Sequence, residues 1–219
     1  VWRDLRLVIF DCDGVLVDSE TISNSVLAEM LSGEGLPTTL EQSRGEYQGM
    51  LLADIRTRAE AKLGRCLPED WLVRYEAERD AAFSRELSPV AGALEAVGQV
   101  TAAGIPVCIA SQGKLTKMGL SLGLTGLDRF FPEAARFSSY SVARGKPAPD
   151  VFLHAASSMG TEPRDCVVVE DTPSGVTAAV SAGMCALGLA ADSDEQALRD
   201  AGAAKILRSL HELPRVLGL

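Results

Sequence analysis

Four stretches of this chain place reactive side chains where an apolar run stops. Asp11 and Asp13, with Cys12 between them and Gly14 behind, follow Leu7-Val8-Ile9-Phe10. Ser111-Gln112-Gly113 follows Val107-Cys108-Ile109-Ala110, and Glu170-Asp171 follows Val167-Val168-Val169. Lys146 stands in Gly145-Lys146-Pro147-Ala148-Pro149. In an open parallel sheet the ligand crevice lies beyond the carboxyl ends of the strands, so acids there read as a site. A hydroxyl followed by a glycine-containing turn can cradle an anion, with Ser111 and the backbone N–H groups of Gln112 and Gly113 as donors. A lysine ahead of two prolines has a restricted backbone, suited to fixing one positive charge. Paired carboxylates offer the oxygen ligands that suit Mg²⁺. Each stretch also has an ordinary reading: capping aspartates after a strand, Ser111 as a helix N-cap, a solvated lysine, and Thr172-Pro173 opening a helix near acids.

The elements that must position these groups follow from patterning. Strands are expected at Leu5–Asp11, Ile105–Ser111, Ala135–Ser138, Cys166–Asp171, Met184–Ala190 and Ala204–Leu207. Helical spacing falls near 92–103, 114–123, 149–159, 173–182 and 194–201. Strands alternating with helices imply parallel pairing through right-handed crossovers, so the fold class is α/β, a doubly wound, Rossmann-like parallel sheet. Residues 20 to about 86 break the alternation. Ile22, Val26, Leu27, Met30 and Leu31 keep helical spacing, Gly33 to Pro37 reads as a turn, and Thr38 with Glu41 as a capping box. Helices are expected at about 51–63 and 69–86, the second carrying Trp71, Tyr75 and Phe83. The expected organisation is a core of 1–16 and 88–219 with a small helical domain, 17–87, inserted after the first strand, and Ser88-Pro89 as hinge.

Composition limits the partners. The 219 residues are 47% hydrophobic, enough for a real core, and 21 Lys plus Arg against 30 Asp plus Glu give a net charge of −9. Without a basic block, nucleic acid and anionic membrane surfaces are excluded as partners, and no window approaches a membrane span. A phosphate on a small ligand would have to be met locally by a few groups. The five cysteines, at 12, 66, 108, 166 and 185, form no Cys-x-x-Cys pair and mostly sit in apolar runs, so reduced thiols and a cytoplasmic location are expected. A monomer is also expected.

Taken together, Phe10-Asp11-Cys12-Asp13-Gly14-Val15, Ser111, Lys146-Pro147-Ala148-Pro149 and Glu170-Asp171 resemble, in order and spacing, the four motifs of the haloacid dehalogenase-like superfamily. The helical insert stands where the β-phosphoglucomutase-like and phosphoglycolate phosphatase-like members carry a cap domain. The resemblance implies a Mg²⁺-dependent phosphatase working through an aspartyl-phosphate. Asp11 would be the nucleophile and Asp13 the general acid, then base; Ser111, Gln112 and Lys146 would hold the phosphoryl oxygens. The metal would be held by Asp11, the Asp13 carbonyl and Asp171, with Glu170 as a ligand or an outer-shell partner. The retained Asp13 argues against carbon–halogen cleavage, and Ser23, where mutases of this kind commonly have histidine, weakens a hexose-phosphate mutase reading.

The expected partner is a small phosphorylated metabolite, a sugar phosphate or a phosphorylated sugar acid. Its selection falls to Glu20, Arg44, Gln48 and Gly49 of the cap, with residues 44–50 read as a loop, and to Lys114. Arg74 and Arg79 are further candidates for a second anionic group, although each is more often a solvent-facing helix charge. Trp71 and Tyr75, four apart, read as cap core. Two alternatives stand beside the phosphatase: a β-phosphoglucomutase-like mutase, and a catalytically silent phosphate-binding or partner-binding protein, which would have lost at least one of the core groups.

Overall fold

The computed structural model describes residues 5–191 and 193–219, and the chain divides into two compact units. One holds the chain up to Val17 together with Pro89–Leu219; the other is Asp18–Ser88.

The first unit is a six-stranded sheet: β1 Leu7–Phe10, β2 Val107–Ser111, β3 Arg136–Ser138, β4 Cys166–Glu170, β5 Cys185–Leu189 and β6 Lys205–Leu207. Their order is β3-β2-β1-β4-β5-β6 and every pairing is parallel. All residues of β1, β2 and β4 are buried. Strands covered on both faces must be apolar at every position, which is why they read in the sequence as continuous runs rather than as alternation. Cβ-branched valine and isoleucine dominate them and suit the pleat. Each strand is one to three residues shorter than expected. Chain order reverses between β1 and β4, so the crevice beyond their carboxyl ends is the topological switch point of the sheet.

Helices α5 Ala93–Ala102, α6 Leu115–Thr125, α7 Asp150–Ser158, α8 Pro173–Ser181, α9 Glu195–Asp200 and α10 Leu213–Leu217 complete this unit. One face of the sheet (Leu7, Ile9, Cys108, Ala110, Val168) packs against α7 and α8 through Val151, Phe152, Ala155, Val176 and Ala179. Small residues on α8 let the helix lie close to the strands, as Gly175 shows below.

The second unit contains α1 Glu20–Gly33, α2 Leu40–Tyr47, α3 Leu52–Leu63 and α4 Trp71–Glu86. Leu27, Leu31, Tyr47, Ile55, Ala59, Leu67, Trp71 and Tyr75 form its core. Trp71 and Tyr75 are buried with their rings stacked, centroids 6.1 Å apart, which bears out their reading as core. Two local expectations are corrected. The capping box uses Thr39 and Gln42, not Thr38 and Glu41: Thr39 Oγ1 accepts from the Gln42 N–H at 3.1 Å, and Gln42 Oε1 accepts from the Thr39 N–H at 2.9 Å. That box opens α2, so residues 44–47 are helical and not loop. Ser43 and Tyr47, one turn apart on the same face of the helix, bury α2 despite its polar composition and Gly45.

Candidate active site

The end of β1 sets the geometry. The Asp11 N–H still donates to Val169 O of β4 at 3.0 Å, so the nearly buried Asp11 carboxylate leaves the sheet in a defined direction. The chain then turns: the Leu16 and Val17 N–H groups donate to Cys12 O, and Gly14 adopts φ 79°, a left-handed conformation. Space demands glycine there as well, since a Cβ on Gly14 would fall 2.3 Å from Asp171 Oδ2. The loop after β1 is thereby laid against the acid at the end of β4.

Lys146 is the hub. Its ammonium donates to Asp11 Oδ1 at 2.6 Å, to Glu170 Oε1 at 2.6 Å and to Ala110 O at 3.0 Å, one acceptor for each of its three protons. The other oxygen of Glu170, Oε2, accepts from the Thr172 N–H at 3.0 Å and the Thr172 hydroxyl at 2.9 Å. Thr172 also caps α8 by accepting from the Gly175 N–H at 3.1 Å, with Pro173 at the first helical position. A Cβ on Gly175 would lie 1.9 Å from the Glu170 carboxyl, so this glycine makes room for the acid. Both Glu170 oxygens therefore serve protein donors.

Burial pushes the Asp11 carboxyl up to about 7; Glu170 and Asp13 add to the rise, and Lys146 opposes it. Burial alone would lower Lys146, but Asp11 and Glu170 outweigh it and raise its pKa, so the lysine stays charged. Cys12, between the two aspartates, has its thiol pushed well up, chiefly by burial.

The end of β2 brings the anion-binding turn. Ser111 is buried, its Oγ accepting from the Gly113 N–H at 3.1 Å, and Ser138 at the end of β3 donates its hydroxyl to Gly113 O at 2.7 Å. The Gly113 N–H, expected to face an anion, is thus bonded to Ser111. Lys117 of α6 pairs with Asp13 Oδ1 at 2.5 Å. A point at the Cβ position of Gly113 lies 3.4 Å from Lys117 Cδ, 3.5 Å from Ser111 Oγ and 3.6 Å from Asp13 Oδ2, so these groups converge. Sequence reading missed Lys117. The available signal was its position, one turn beyond Lys114 in the helix that follows the Ser111 turn.

Among the described residues, Asp11, Glu170 and Asp171 form a buried group whose ligand oxygens lie within 4.8 Å of one another. A divalent cation fits these residues. The donors are all carboxylate oxygens, hard ligands, and burial leaves Asp11 short of compensating charge even with Lys146 beside it.

The structure thus brings Asp11, Asp13, Ser111, Gln112, Lys146, Glu170 and Asp171 to neighbouring strand ends of one unit. Lys114, just ahead of α6 in the same unit, places its ammonium 5.9 Å from the centre of the Tyr140 ring. The other candidates belong to the helical unit. Glu20 opens α1 and its carboxylate accepts from Asn24 Nδ2 at 3.2 Å, while Ser43 donates to Asn24 Oδ1 at 2.8 Å, a buried polar link between α1 and α2. Arg44 lies half-buried within α2, Gln48 follows its last turn, and Gly49 has φ 75°. Arg74 pairs with Glu34 and Asp70 at the surface. Arg79 is the exception to the solvent-facing reading: it is buried, bonded to Asp80, with its guanidinium 5.7 Å from the centres of the Tyr75 and Phe83 rings.

Comparison with known proteins gives the family. The haloacid dehalogenase-like hydrolase family matches residues 5–183. The chain is 32% identical over 181 residues to the 6-phosphogluconate phosphatase of Escherichia coli K12, covering 82% of this chain and 80% of that protein. It is 31% identical to hexitol phosphatase A of the same organism, covering 94% and 91%. Among solved structures, a haloacid dehalogenase family hydrolase from Deinococcus radiodurans, with bound phosphate and sodium, superposes with a TM-score of 0.80 at 31% identity, covering 98% of this chain and 96% of the other. A putative β-phosphoglucomutase from Thermotoga maritima gives 0.80 at 28% identity, covering 98% and 99%. The chain belongs to the haloacid dehalogenase-like hydrolases. Within that family it is a phosphoric monoester hydrolase. Among the described residues no helix is long and apolar enough to cross a membrane.

Proposed function

We propose that the substrate is a phosphorylated sugar or sugar acid and that Asp11 is the nucleophile. The observation that carries this reading is the placement of Asp11 and Asp13, two residues apart at the switch point of the sheet, each with its own lysine: Lys146 on Asp11 and Lys117 on Asp13. Asp11 attacks phosphorus as the bond to the leaving alkoxide breaks, and Asp13 gives that oxygen its proton. Asp13 then takes a proton from the water that attacks the aspartyl-phosphate, releasing inorganic phosphate and restoring Asp11. Ser111, the Gln112 N–H and Lys146, which exchanges one of its three present acceptors for the substrate, hold the phosphoryl oxygens. Mg²⁺ would be held by Asp11, the Asp13 carbonyl and Asp171, with Glu170 behind them through Lys146, and would supply positive charge against the phosphoryl oxygens.

The sugar assignment is supported by what similar proteins are named for: 6-phosphogluconate, hexitol phosphates and, in a 28% identical protein of Thermotoga maritima, phosphorylated carbohydrates. Selection of the alcohol half is assigned to Glu20, Arg44, Gln48 and Gly49 of the helical unit and to Lys114. The test is inorganic phosphate release from a panel of sugar phosphates, sugar-acid phosphates, phosphoglycolate and nucleotides, with and without Mg²⁺. Metal-dependent release, fastest from the sugar and sugar-acid esters, supports the proposal. Isomerisation of a hexose phosphate with little release, or preference for nucleotides, overturns it.

A further inference from the structure

Lys146 is held at both ends by the residues that flank Ser111. Its ammonium rests on the carbonyl of Ala110 at 3.0 Å, and its backbone N–H donates to the side-chain Oε1 of Gln112 at 3.0 Å. The loop that carries Lys146 has few other N–H groups with which to anchor itself, because residues 147 and 149 are prolines. Gly145 is shaped to receive the Gln112 amide: a Cβ there would fall 2.7 Å from Oε1 and 3.2 Å from Nε2. Its φ is not in the left-handed region, so what this glycine supplies is space. Ser138 braces the other side of the same turn through Gly113 O.

From this geometry we infer that Gln112 is a positioning residue for Lys146, clasping the lysine-bearing loop to the end of β2 so that the ammonium and the Ser111 hydroxyl face the phosphoryl group as one fixed pair. The inference rests on the reading of Lys146 as a phosphate-holding cation. A lysine side chain has a flexible four-carbon stem and is costly to order. Fixing its backbone as well as its tip removes that cost before substrate arrives. The side chain of Gln112 acts through Lys146, and only its backbone belongs to the anion-binding turn.

The test measures the affinity of the Mg²⁺-loaded protein for inorganic phosphate by calorimetry, alongside kcat and KM and the melting temperature, for Gln112→Ala, Gly145→Ala, their double variant, Lys146→Met and Gln112→Ala/Lys146→Met. Loss of one clasping hydrogen bond is expected to weaken phosphate binding by about five- to tenfold. Gly145→Ala should do the same, because its methyl displaces the Gln112 amide, and the double variant should be no worse than either single one. In a Lys146→Met background, Gln112→Ala should change phosphate affinity no further. Additive losses in the Gln112→Ala/Gly145→Ala variant overturn the clasp. An equal loss from Gln112→Ala with and without Lys146 shows that Gln112 meets phosphate itself, and a lowered melting temperature with unchanged phosphate affinity reduces it to a structural residue; either result overturns the inference. If Lys146→Met binds phosphate like the unaltered protein, the underlying reading of Lys146 fails, and the inference with it.

Discussion

Lys117 places its ammonium 2.5 Å from Oδ1 of Asp13, two residues along the chain from Asp11, whose Oδ1 lies 2.6 Å from the Lys146 ammonium. Both side chains are mostly buried, so solvent screens the contact only weakly. An exposed pair would be worth little, but a shielded cation beside a group that must give and then take a proton fixes where that group points. Replacing Lys117 with Met should lower kcat by about tenfold, less than removal of the acid itself. Steady-state kinetics with melting temperatures check this; an unchanged kcat would show that Asp13 needs no such support.

The two acids ending β4 should separate in their effects. Asp171→Asn is expected to raise the Mg²⁺ concentration needed for half-maximal activity by about tenfold or more. Glu170→Gln, which disturbs acceptors used by Lys146 and Thr172, should instead weaken inhibition by inorganic phosphate more than it shifts the metal requirement. Metal titrations and phosphate inhibition on both variants provide the comparison. Equal metal shifts would place Glu170 among the ligands.

Gly175 offers a stability test. An alanine near a helix start ordinarily gains from propensity, yet here its methyl would sit 1.9 Å from the Glu170 carboxyl, which is anchored on two sides. Gly175→Ala should therefore destabilise the α/β unit by about 1–3 kcal/mol in urea unfolding. A neutral or stabilising result would mean that Glu170 can move aside without loss.

How much of this was legible in the sequence depended on whether one residue type had one usual fate. β1, β2 and β4 are buried on both faces, so their apolar runs and abrupt polar ends gave away both the strands and the acids. α2 was hidden because only Ser43 and Tyr47 bury its core face, among Arg44, Gly45 and Glu46. The capping box was misplaced by one residue because Thr38 is taken up elsewhere, its N–H donating to Ser32 Oγ and its hydroxyl to Leu36 O, which leaves the box to Thr39 and Gln42. A lysine on a helix is usually solvated, which concealed Lys117; the same generality misjudged Arg79, buried between two aromatic rings. The pairing of Gln112 with Gly145 joins positions 33 apart, a contact no local pattern announces.

The cysteines should differ sharply in reactivity. Burial raises the thiols of Cys12, Cys108, Cys166 and Cys185, so each presents less thiolate at any given pH, and the first three are also shielded. Cys66 is exposed. At pH 8 a disulfide reagent should titrate one thiol rapidly and the others slowly or only on unfolding, and Cys66→Ser should remove the fast phase. Several fast thiols would contradict the packing around β1, β2 and β4.

Asp11 should become phosphorylated during turnover. The direct measurement is borohydride reduction during steady-state turnover of a sugar-phosphate substrate with Mg²⁺, followed by peptide mass spectrometry. Homoserine at position 11, absent without substrate and absent in Asp11→Asn, is the expected result. Reduction at another residue, or none while phosphate is still released, would rule out Asp11 as the nucleophile.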